Sequence, residues 1–464
     1  MLKADEAFDI PNHLTQVWKD MRVNTWVQNM AGTEIVVTCE PENVKALLAT
    51  QFNDFELPEQ RRLIFWGIFG AGIFTDNGKR WEHSRALLRP QFARDNIADL
   101  AAQEVHVQNI MRFLEPGSDG WTQQTDLSPI FFRLTLDSAT EFLFGQSVGS
   151  QLAALPGSEK ASNGADLDWV KFGAAFTTGM KAMATKFRLQ DWHWLYTTSE
   201  YRESIKEIHR FADHWVSRAL ESYQRGEKDV EDGSRKYVFA EELAQATQDP
   251  IELRNQLLHI LLAGRDTTSG MLGWLFYELA LHPDIYEKLR KAVIEDFGTY
   301  QNPKKMDFAS LKACTYLQRV MTETLRLFPI VPFNSRMATQ DTTLPVGGGP
   351  DQKSPVFIPK GMEVNYAVHM MHQREDLYGP DAVEFKPDRW DSRKSGWEYL
   401  PFNGGPRICL GQQYALTTAG YTICRIVQRF DKIADLQDHG PVLKHYYDVT
   451  TSPLTAKMKF HVAE

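Results

Sequence analysis

The chain of 464 residues contains little cysteine and no long apolar segment near its start. Its four cysteines form no C-x-x-C pair and show no metal-finger spacing, which argues against a disulfide framework and favours a reducing compartment. The first sixty residues hold no secretory signal and no apolar run near the ~18 residues that a membrane span requires. These absences predict an intracellular protein that is soluble as this chain stands.

Positive charge is also in deficit, with 51 Lys and Arg against 60 Asp and Glu and a net charge of -9. An acidic chain argues against a nucleic-acid partner. The sequence shows no flavin or nicotinamide motif and no internal repeat. What it does have is a hydrophobic content of 43%, enough for a large core. Because no linker interrupts the apolar periodicity, we expect one domain over residues 1–464.

Helical periodicity dominates residues 76–328, with β-richer portions at about 25–50 and 330–368. Within these portions we expect a hairpin at 25–38, a helix over 41–50 and a long buried helix over 251–281. The glycine-containing stretch 63–74 is interpreted as a buried loop or pocket wall. Polar segments at 149–168 and 225–236 are predicted surface loops. A final helix is expected from Cys409 to about Phe430.

Cys409 lies in the most informative segment, Phe402-Asn403-Gly404-Gly405-Pro406-Arg407-Ile408-Cys409-Leu410-Gly411. A nearby cation and a helix N-terminus both favour a thiolate, and glycines let the backbone approach a large flat group. A thiolate in such a position suits the axial ligand of a haem iron. A buried structural cysteine on a glycine-rich loop is the alternative that the residues alone leave open.

The pattern F-x-x-G-x-R-x-C-x-G, matched at all five fixed positions, resembles the haem-binding loop of cytochrome P450 monooxygenases. The resemblance implies a mainly α fold with small β-sheets, in which haem lies between the long central helix and the cysteine loop over 402–411. It further implies Cys409 as the iron ligand of a haem b. The loop residues expected to contact that cofactor are Phe402, Gly405, Arg407 and Gly411.

The string Ala263-Gly264-Arg265-Asp266-Thr267-Thr268 is at the centre of the predicted long helix. Gly264 weakens the helix, and a Thr hydroxyl can bond the carbonyl one turn back, which would open a groove. A tolerated kink in a core helix is the plainer interpretation. The string resembles the oxygen-activating helix of the family, which implies hydrogen bonding around dioxygen by Thr267 and proton relay by Asp266. Ala263 contacts the haem there and cannot bond it covalently, so the haem is predicted to be non-covalent.

Glu323 and Arg326 are three residues apart on a predicted helix, and the residues alone favour an ordinary surface pair. The resemblance changes this, since E-x-x-R in the family forms a buried structural network with a second arginine, here Arg389. Other matches imply propionate binding by Trp81, Arg85, Arg336 and Arg407. His83, between Trp81 and Arg85, is interpreted as a supporting donor or a solvated side chain and not as an iron ligand.

Several strings, at 41–52, 83–92 and 343–351, resemble the fungal alkane and fatty-acid hydroxylase branch. This implies hydroxylation at or near the terminal carbon of a long chain, with a separate NADPH-dependent flavoprotein reductase as partner and O2 as co-substrate. The expected pocket walls are apolar: Ile73, Phe74, Leu262, Val331 and Phe333. The alternatives are a monooxygenase that tailors a fungal secondary metabolite, a haem-thiolate isomerase or dehydratase without a reductase, and a non-catalytic haem sensor. The Asp266-Thr267 pair argues against the isomerase and the sensor.

Full-length members of that branch carry an N-terminal membrane helix, and this chain begins after the corresponding position. The resemblance therefore implies the cytoplasmic face of the endoplasmic reticulum for a full-length protein. A peripheral membrane contact is a further hypothesis, because residues 181–196 mix basic and aromatic side chains as interfacial segments do. The simpler interpretation, that these aromatics cover the core, is favoured. We expect a monomer.

Overall fold

The computed structural model describes residues 7–30, 32–93, 100–155, 169–225, 237–438 and 443–463. In chain order the helices are α1 (Ile10–Met21), α2 (Pro41–Lys45), α3 (Glu59–Phe69), α4 (Gly78–Leu88), α5 (Leu100–Met111), α6 (Leu127–Phe144), α7 (Ser150–Ala153), α8 (Trp169–Leu189), α9 (Ser199–Arg225), α10 (Phe239–Ala246), α11 (Pro250–Leu281), α12 (Pro283–Phe297), α13 (Phe308–Ala313), α14 (Thr315–Leu327), α15 (Val368–Met371), α16 (Glu375–Tyr378) and α17 (Gln412–Arg429). A π-helical turn, Ala46–Thr50, continues α2, and short 3-10 turns include Gln190–Leu195, Pro387–Trp390 and Gly405–Arg407.

The strands are β1 (Thr25–Met30), β2 (Thr33–Thr38), β3 (Phe55–Glu56), β4 (Thr125–Asp126), β5 (Phe333–Ala338), β6 (Thr342–Gly348), β7 (Ser354–Ile358), β8 (Glu363–Ala367), β9 (Phe430–Asp435), β10 (His445–Tyr447), β11 (Thr451–Pro453) and β12 (Lys457–Val462). The largest sheet has the order β1-β2-β8-β5-β3. Only the β2–β8 pair in it is parallel, with Ile35 opposite Glu363. The other sheets are β4-β12-β9, β6-β7 and β10-β11. The fold is mainly helical with small sheets, as predicted.

The chain forms two compact units that alternate along the sequence. The first comprises Met1–Pro58, Leu114–Phe131 and Ser269–Glu464, and it contains the sheets and the cysteine loop. The second comprises Glu59–Phe113 and Phe132–Thr268 and is helical. Helix α11 contributes residues to both. One domain over residues 1–464 remains a prediction.

The β-branched run Ile35-Val36-Val37 explains the position of β2 within the largest sheet. All three side chains are buried in a core cluster with Val364 and Tyr366 of β8. Residues of this type favour strands that are covered on both faces. The predicted hairpin at 25–38 is confirmed, with Thr25 opposite Thr38 in the antiparallel pair.

The interpretation of stretch 63–74 as a loop is wrong over its first half, because α3 extends to Phe69. Gly67, which suggested a loop, is a helical residue where α3 lies close to α9. A Cβ there would come 3.0 Å from the Tyr201 hydroxyl. The glycine is therefore explained by helix packing, and Leu63 is 50% exposed on the other side.

Two further boundaries differ from the prediction. The last long helix starts at Gln412, because the cysteine loop turns through the 3-10 segment Gly405–Arg407 before the helix begins. The polar segment 149–168 starts with the short helix α7, and residues 156–168 lie outside the described part, as do 226–236 of the second predicted loop. In the described part of the chain, we find no helix with both the length and the apolar character needed to cross a membrane.

Candidate functional site

Cys409 differs from the other cysteines in its exposure. Cys39, Cys314 and Cys424 are buried, whereas Cys409 is exposed. Burial raises the pKa of the Cys39 and Cys314 thiols to about 12 and that of Cys424 well above its ordinary value. These three thiols are therefore protonated at neutral pH. Since only a thiolate ligates a metal, Cys409 is the cysteine that is suited to do so.

The backbone of the cysteine loop is fixed by its own hydrogen bonds. The Cys409 N–H donates to the Phe402 carbonyl at 3.0 Å, and the Ile408 N–H donates to the Gly405 carbonyl at 3.1 Å. Gly411 then caps α17. Cys409 thus lies just before a helix N-terminus, where the partial positive charge favours a thiolate.

Gly405 cannot be replaced without moving the backbone. Its φ is +65°, and a Cβ would lie 1.8 Å from the Leu48 carbonyl oxygen. The fixed glycine of the motif is thus required by contact of the loop with the π-helical turn Ala46–Thr50. From the sequence alone, Gly405 is explained by a close approach of the backbone to a cofactor. The contact with Leu48 is an additional reason for glycine at this position.

Arg336 on β5 is buried, with 2% exposure. Its Nη1 donates to the Ser335 carbonyl at 2.7 Å, and the guanidinium lies 5.6 Å from the centre of the Tyr366 ring. Its Nε has no hydrogen-bond partner among the residues that the structure describes. A buried donor of this kind requires an acceptor, and the carboxylate of a bound group would supply one.

Glu323 and Arg326 of α14 are both fully buried, so the interpretation as a surface pair is wrong. Arg326 Nε and Nη2 each donate to the Glu323 carboxylate at 2.8 Å. Arg389 Nε lies 3.3 Å from the same carboxylate, and Trp390 Nε1 donates to it at 2.9 Å. The 3-10 turn Pro387–Trp390 packs on α14 and covers the face of that helix that carries Glu323 and Arg326.

His372 connects this network to the cysteine loop, and sequence reasoning missed it. Its Nδ1 donates to the Arg326 carbonyl at 2.9 Å, and its Nε2 accepts from the Leu400 N–H at 3.0 Å. Burial lowers the pKa of His372 to about 3, so the ring is neutral and both nitrogens are satisfied. No sequence pattern predicts this role of His372, because both of its hydrogen bonds join the ring to backbone atoms.

The centre of α11 has the predicted Thr hydrogen bond. Thr267 Oγ1 donates to the Ala263 carbonyl at 2.6 Å. A Cβ on Gly264 would meet only the Ala139 methyl group, at 3.5 Å, within the described chain. The Asp266 carboxylate is largely buried, at 12% exposure, and its Oδ1 lies 3.6 Å from Arg265 Nη1. This pair was not predicted, because adjacent helical residues do not normally face each other.

Trp81 and Arg85 share one face of α4, and the guanidinium lies 5.9 Å from the indole ring. His83 is exposed on another face, where its Nε2 lies 2.8 Å from Glu252 Oε1. It therefore forms a surface pair and is not positioned as a ligand.

The expected pocket walls divide between the two units. Ile73 and Leu262 are buried in the helical unit, and Phe74 there contacts His259, with ring centres 5.4 Å apart. Val331 and Phe333, in the other unit, are half-buried. Their role as pocket walls remains a prediction.

The favoured interpretation of residues 181–196, that the aromatics cover the core, is wrong for two of them. Trp192 is 53% and Trp194 is 62% exposed. They lie on the 3-10 turn Gln190–Leu195, where consecutive residues point in all directions and cannot all face the core.

The donor set fits a haem group. The Cys409 thiol is exposed in front of a helix N-terminus, and the Nε of buried Arg336 finds no acceptor among the described residues. These are the two requirements of a macrocycle that carries an iron atom at its centre and carboxylates at its edge.

Comparison with known proteins agrees with this chemistry. The family model described as Cytochrome P450 matches residues 9–460. The chain is 50% identical over 448 residues to "Cytochrome P450 monooxygenase g430" of Fusarium sp, covering 96% of this chain and 78% of that protein. It is 42% identical over 465 residues to "Cytochrome P450 monooxygenase alt2" of Alternaria solani, covering 97% and 86%. It is also 44% identical over 450 residues to "Cytochrome P450 52A12" of Debaryomyces hansenii, covering 96% and 85%. The chain therefore belongs to the cytochrome P450 family and is a monooxygenase that uses cysteine-ligated haem iron, O2 and electrons from NAD(P)H through a reductase partner.

Proposed function

We propose that this monooxygenase hydroxylates a long alkane or fatty acid at or near its terminal carbon. The observation that carries the proposal is the resemblance of segments 41–52, 83–92 and 343–351 to the fungal hydroxylase branch. Identity of 42–50% to three fungal monooxygenases supports a fungal context. The apolar side chains Ile73 and Leu262 suit such a substrate, since each buried methylene contributes about 0.8 kcal/mol.

An absorbance titration of the purified ferric protein tests the substrate class. Long alkanes and fatty acids should shift the haem spectrum to high spin, whereas bulky polycyclic compounds should not. A shift with only the polycyclic compounds would favour the tailoring of a secondary metabolite.

Cys409 is the proposed iron ligand. Replacing it with Ser should abolish the characteristic absorbance band of the reduced CO complex, because that band requires a thiolate ligand. Cys314→Ala is the matched control, since that thiol is buried and protonated. Loss of the band in the control but not in C409S would overturn the assignment.

Haem binding beyond the iron is assigned to the residues that match the family's motifs. Trp81, Arg85, Arg336 and Arg407 would hold the propionates, and the orphaned Nε of Arg336 supports this role. The other residues of the proposed haem environment are Ala263, Phe402, Gly405 and Gly411. The haem would be non-covalent, because Ala263 offers no carboxylate for an ester bond. Arg336→Leu should lower haem retention during gel filtration.

Bound haem supplies dioxygen activation and C–H oxidation. The residues of this chain hold the substrate, exclude water and move protons. Thr267, whose hydroxyl is 2.6 Å from the Ala263 carbonyl, would supply hydrogen bonds where dioxygen is activated. Asp266 would carry protons from solvent as a general acid. Thr267→Ala should divert NADPH electrons into hydrogen peroxide, while Thr268→Ala is the neighbouring control.

The Glu323, Arg326 and Arg389 network is assigned a structural role, which is to hold the segment around the cysteine loop. The hydrogen bonds of His372 to the Arg326 carbonyl and the Leu400 N–H support this role. These side chains would not contact substrate.

An apolar surface in the helical unit supports a peripheral membrane contact. Leu63 and Trp66 of α3 are 50% and 45% exposed, and the turn that carries Trp192 and Trp194 packs against α3. Arg62 lies 5.1 Å from the Trp66 ring, and mixed basic and aromatic residues are typical of membrane interfaces. A W192A/W194A variant should float less with anionic lipid vesicles, whereas Phe357→Ala, which removes an exposed aromatic of β7, should not.

The electron donor is proposed to be an NADPH-dependent flavoprotein reductase on the cytoplasmic face of the endoplasmic reticulum. The chain is proposed to act as a monomer. Turnover with a fungal microsomal reductase and NADPH, together with the mass of the active species in solution, would test both proposals.

A further inference from the structure

A cleft opens in the first unit where α11 ends and α12 begins. Pro283 lacks the N–H that would continue the hydrogen bonding of α11, so the chain turns at His282 between the two helices. The segment 383–388, which leads into the 3-10 turn Pro387–Trp390, forms another wall. The cleft has a volume of about 440 Å³, within the range of about 300–1,000 Å³ that small-molecule sites occupy.

Glu278, in the last turn of α11, lines this cleft, and its side chain is only 9% exposed. No described residue donates a hydrogen bond to its carboxylate. His282 Nδ1 lies 3.5 Å from Oε2, but its N–H donates to the Glu278 backbone carbonyl at 2.9 Å. Buried carboxyl groups are normally hydrogen-bonded or paired with a cation. Glu278 therefore lacks the partner that its environment requires, and the cleft is the side from which a partner can reach it.

The charges around the cleft favour a cation over an anion. Lys386, the lysine of the cleft, is held at 2.8 Å by the carboxylate of Asp381. Asp388 is paired in the same way with Lys288, at 2.7 Å. A positive group in the cleft would thus meet acids that are not already neutralised by a lysine. The other ionisable side chains that line the cleft are Glu278, His282, Asp284 and Glu384.

The cleft also has apolar walls, which favour an organic cation over a metal ion. Ile285 and Phe385 line it at 9% and 6% exposure, and Val383 is 57% exposed. A divalent metal ion requires several oxygen ligands, and the described residues contain no group of three or more His, Cys, Asp or Glu side chains that could hold one. An organic cation requires one carboxylate for its charge and apolar surface for its stem.

We propose that this cleft binds a small organic cation, an ammonium or guanidinium group on an apolar stem, with Glu278 as the carboxylate that pairs with it. The inference does not depend on the substrate proposed for the haem site. A guanidinium group matches the two oxygens of a carboxylate with two parallel N–H donors.

The protonation of Glu278 supports this assignment. Burial, together with the charge of Glu323, raises the pKa of Glu278 to about 8, so the acid is protonated at neutral pH when no cation is bound. A cation beside it favours the ionised form, so binding below pH 8 should release a proton. The charged or titratable side chains around Glu278 are Glu323 of α14, Tyr277 and His282 along the chain, Asp284 of α12, and Glu384, Lys386 and Asp388 of the segment 383–388.

The first test is calorimetric titration of the ferric holoenzyme with butylguanidinium, with its neutral isostere butylurea as the matched control. A guanidinium stays charged throughout the experiment and offers no lone pair to the haem iron. Butylguanidinium should bind saturably and butylurea should not. Absence of saturable binding of the cation in the millimolar range, or equal binding of butylurea, would overturn the proposal.

The second test compares two variants at pH 8.5. Glu278→Gln keeps the size of the side chain but removes its charge, and should weaken binding of butylguanidinium roughly 10-fold or more. Glu384→Gln is the matched control, because Glu384 lines the same cleft but is exposed; it should weaken binding less than about 3-fold. Equal affinities of E278Q and the parent would place the probe at another site and contradict the proposal.

The third test follows the proton. Because Glu278 must lose its proton to pair with the cation, the affinity of the parent should rise more than about 10-fold between pH 6.5 and 8.5. Calorimetry at pH 6.5 in two buffers of different ionisation enthalpy should show release of nearly one proton per bound cation in the parent and none in E278Q. Binding without proton release, or binding that shifts the haem spectrum equally in the parent and E278Q, would refute the role of Glu278.

Discussion

Two buried glutamates in the same unit should respond in opposite ways to the same substitution. Glu323 accepts five N–H donors, from Arg326 twice and from Arg389, Trp390 and the Lys386 backbone. Glu278, on α11, is 7% exposed, and burial together with the charge of Glu323 raises its pKa to about 8. His282 Nδ1 lies 3.5 Å from its carboxylate but 2.9 Å from the Glu278 carbonyl, to which it donates, so it does not neutralise the acid.

The expected magnitudes follow from these environments. Glu323→Gln leaves Arg326 and Arg389 buried without their counter-charge, and should lower the free energy of unfolding by about 3–5 kcal/mol. Glu278→Gln removes an acid whose pKa rises from its ordinary value of 4.5 to about 8 on folding. The folded state binds the extra proton, so ionisation of Glu278 destabilises it increasingly as pH rises from about 4.5 to 8. At pH 7 that cost is roughly 3 kcal/mol, which E278Q should largely recover.

Urea unfolding followed by circular dichroism at pH 5, 6, 7 and 8 measures both effects. E323Q should be less stable than the parent at every pH, whereas the stabilisation by E278Q should grow steadily between pH 5 and pH 8. Glu384→Gln is the control, because Glu384 lines the same cleft as Glu278 but is exposed. A loss of stability in E278Q, or a gain that does not vary with pH, would refute the reasoning.

Three further substitutions test separate features. Gly405→Ala should lower the free energy of unfolding by more than about 2 kcal/mol, because backbone strain at φ +65° adds to the clash with Leu48. Gly361→Ala, at φ +83°, brings its new methyl group into no contact and should lower that free energy by about 1 kcal/mol. Equal urea midpoints for the two variants would contradict this prediction. Burial and the neighbouring His369 lower the pKa of His445 to about 3, so only the unfolded state binds a proton at this residue as pH falls below about 6.5. Between pH 7.5 and 5.5, H445Q should therefore lose about 1.4 kcal/mol less stability than the parent. The same pH dependence of stability in both proteins would exclude this role of His445. Gly264→Ala should raise the stability of the haem-free protein by about 1 kcal/mol, because the described chain leaves room for a methyl group. The same methyl group should impair coupled turnover, because it would fill the groove beside Gly264 that is proposed to receive dioxygen. Unchanged coupling in this variant would exclude that role for the groove.

The sequence was sufficient for features with a long or specific signal. The long helix is apolar over nine turns, so its type and limits agree with Pro250–Leu281 within one residue. The β-branched strands of the hairpin at 25–38 were equally clear. Cys409 was found because five fixed positions within ten residues define its loop. In each case the information is local, and no distant contact was needed to interpret it.

The errors arise where a distant segment decides the environment. The i, i+3 spacing of Glu323 and Arg326 is the same whether water or the turn Pro387–Trp390 covers them. From the sequence alone Gly67 indicates a loop, whereas in the structure it allows a close helix contact with Tyr201. The pairing of Arg265 with Asp266 depends on two aromatic rings from other helices. Local pattern cannot supply any of these neighbours.

His372 shows why the structural network and the cysteine loop should be considered as one system. The histidine satisfies the Arg326 carbonyl with one nitrogen and the Leu400 N–H with the other. Leu400 in turn accepts from the Asn403 N–H, at the start of the turn that leads to Cys409. A displacement of α14 would therefore be transmitted to the loop through two hydrogen bonds and a rigid ring. Protonation of the ring would break the bond to Leu400, and the low pKa of His372 prevents this at any pH near neutrality. The network thus has a stabilising function and also fixes the backbone from which the thiol projects.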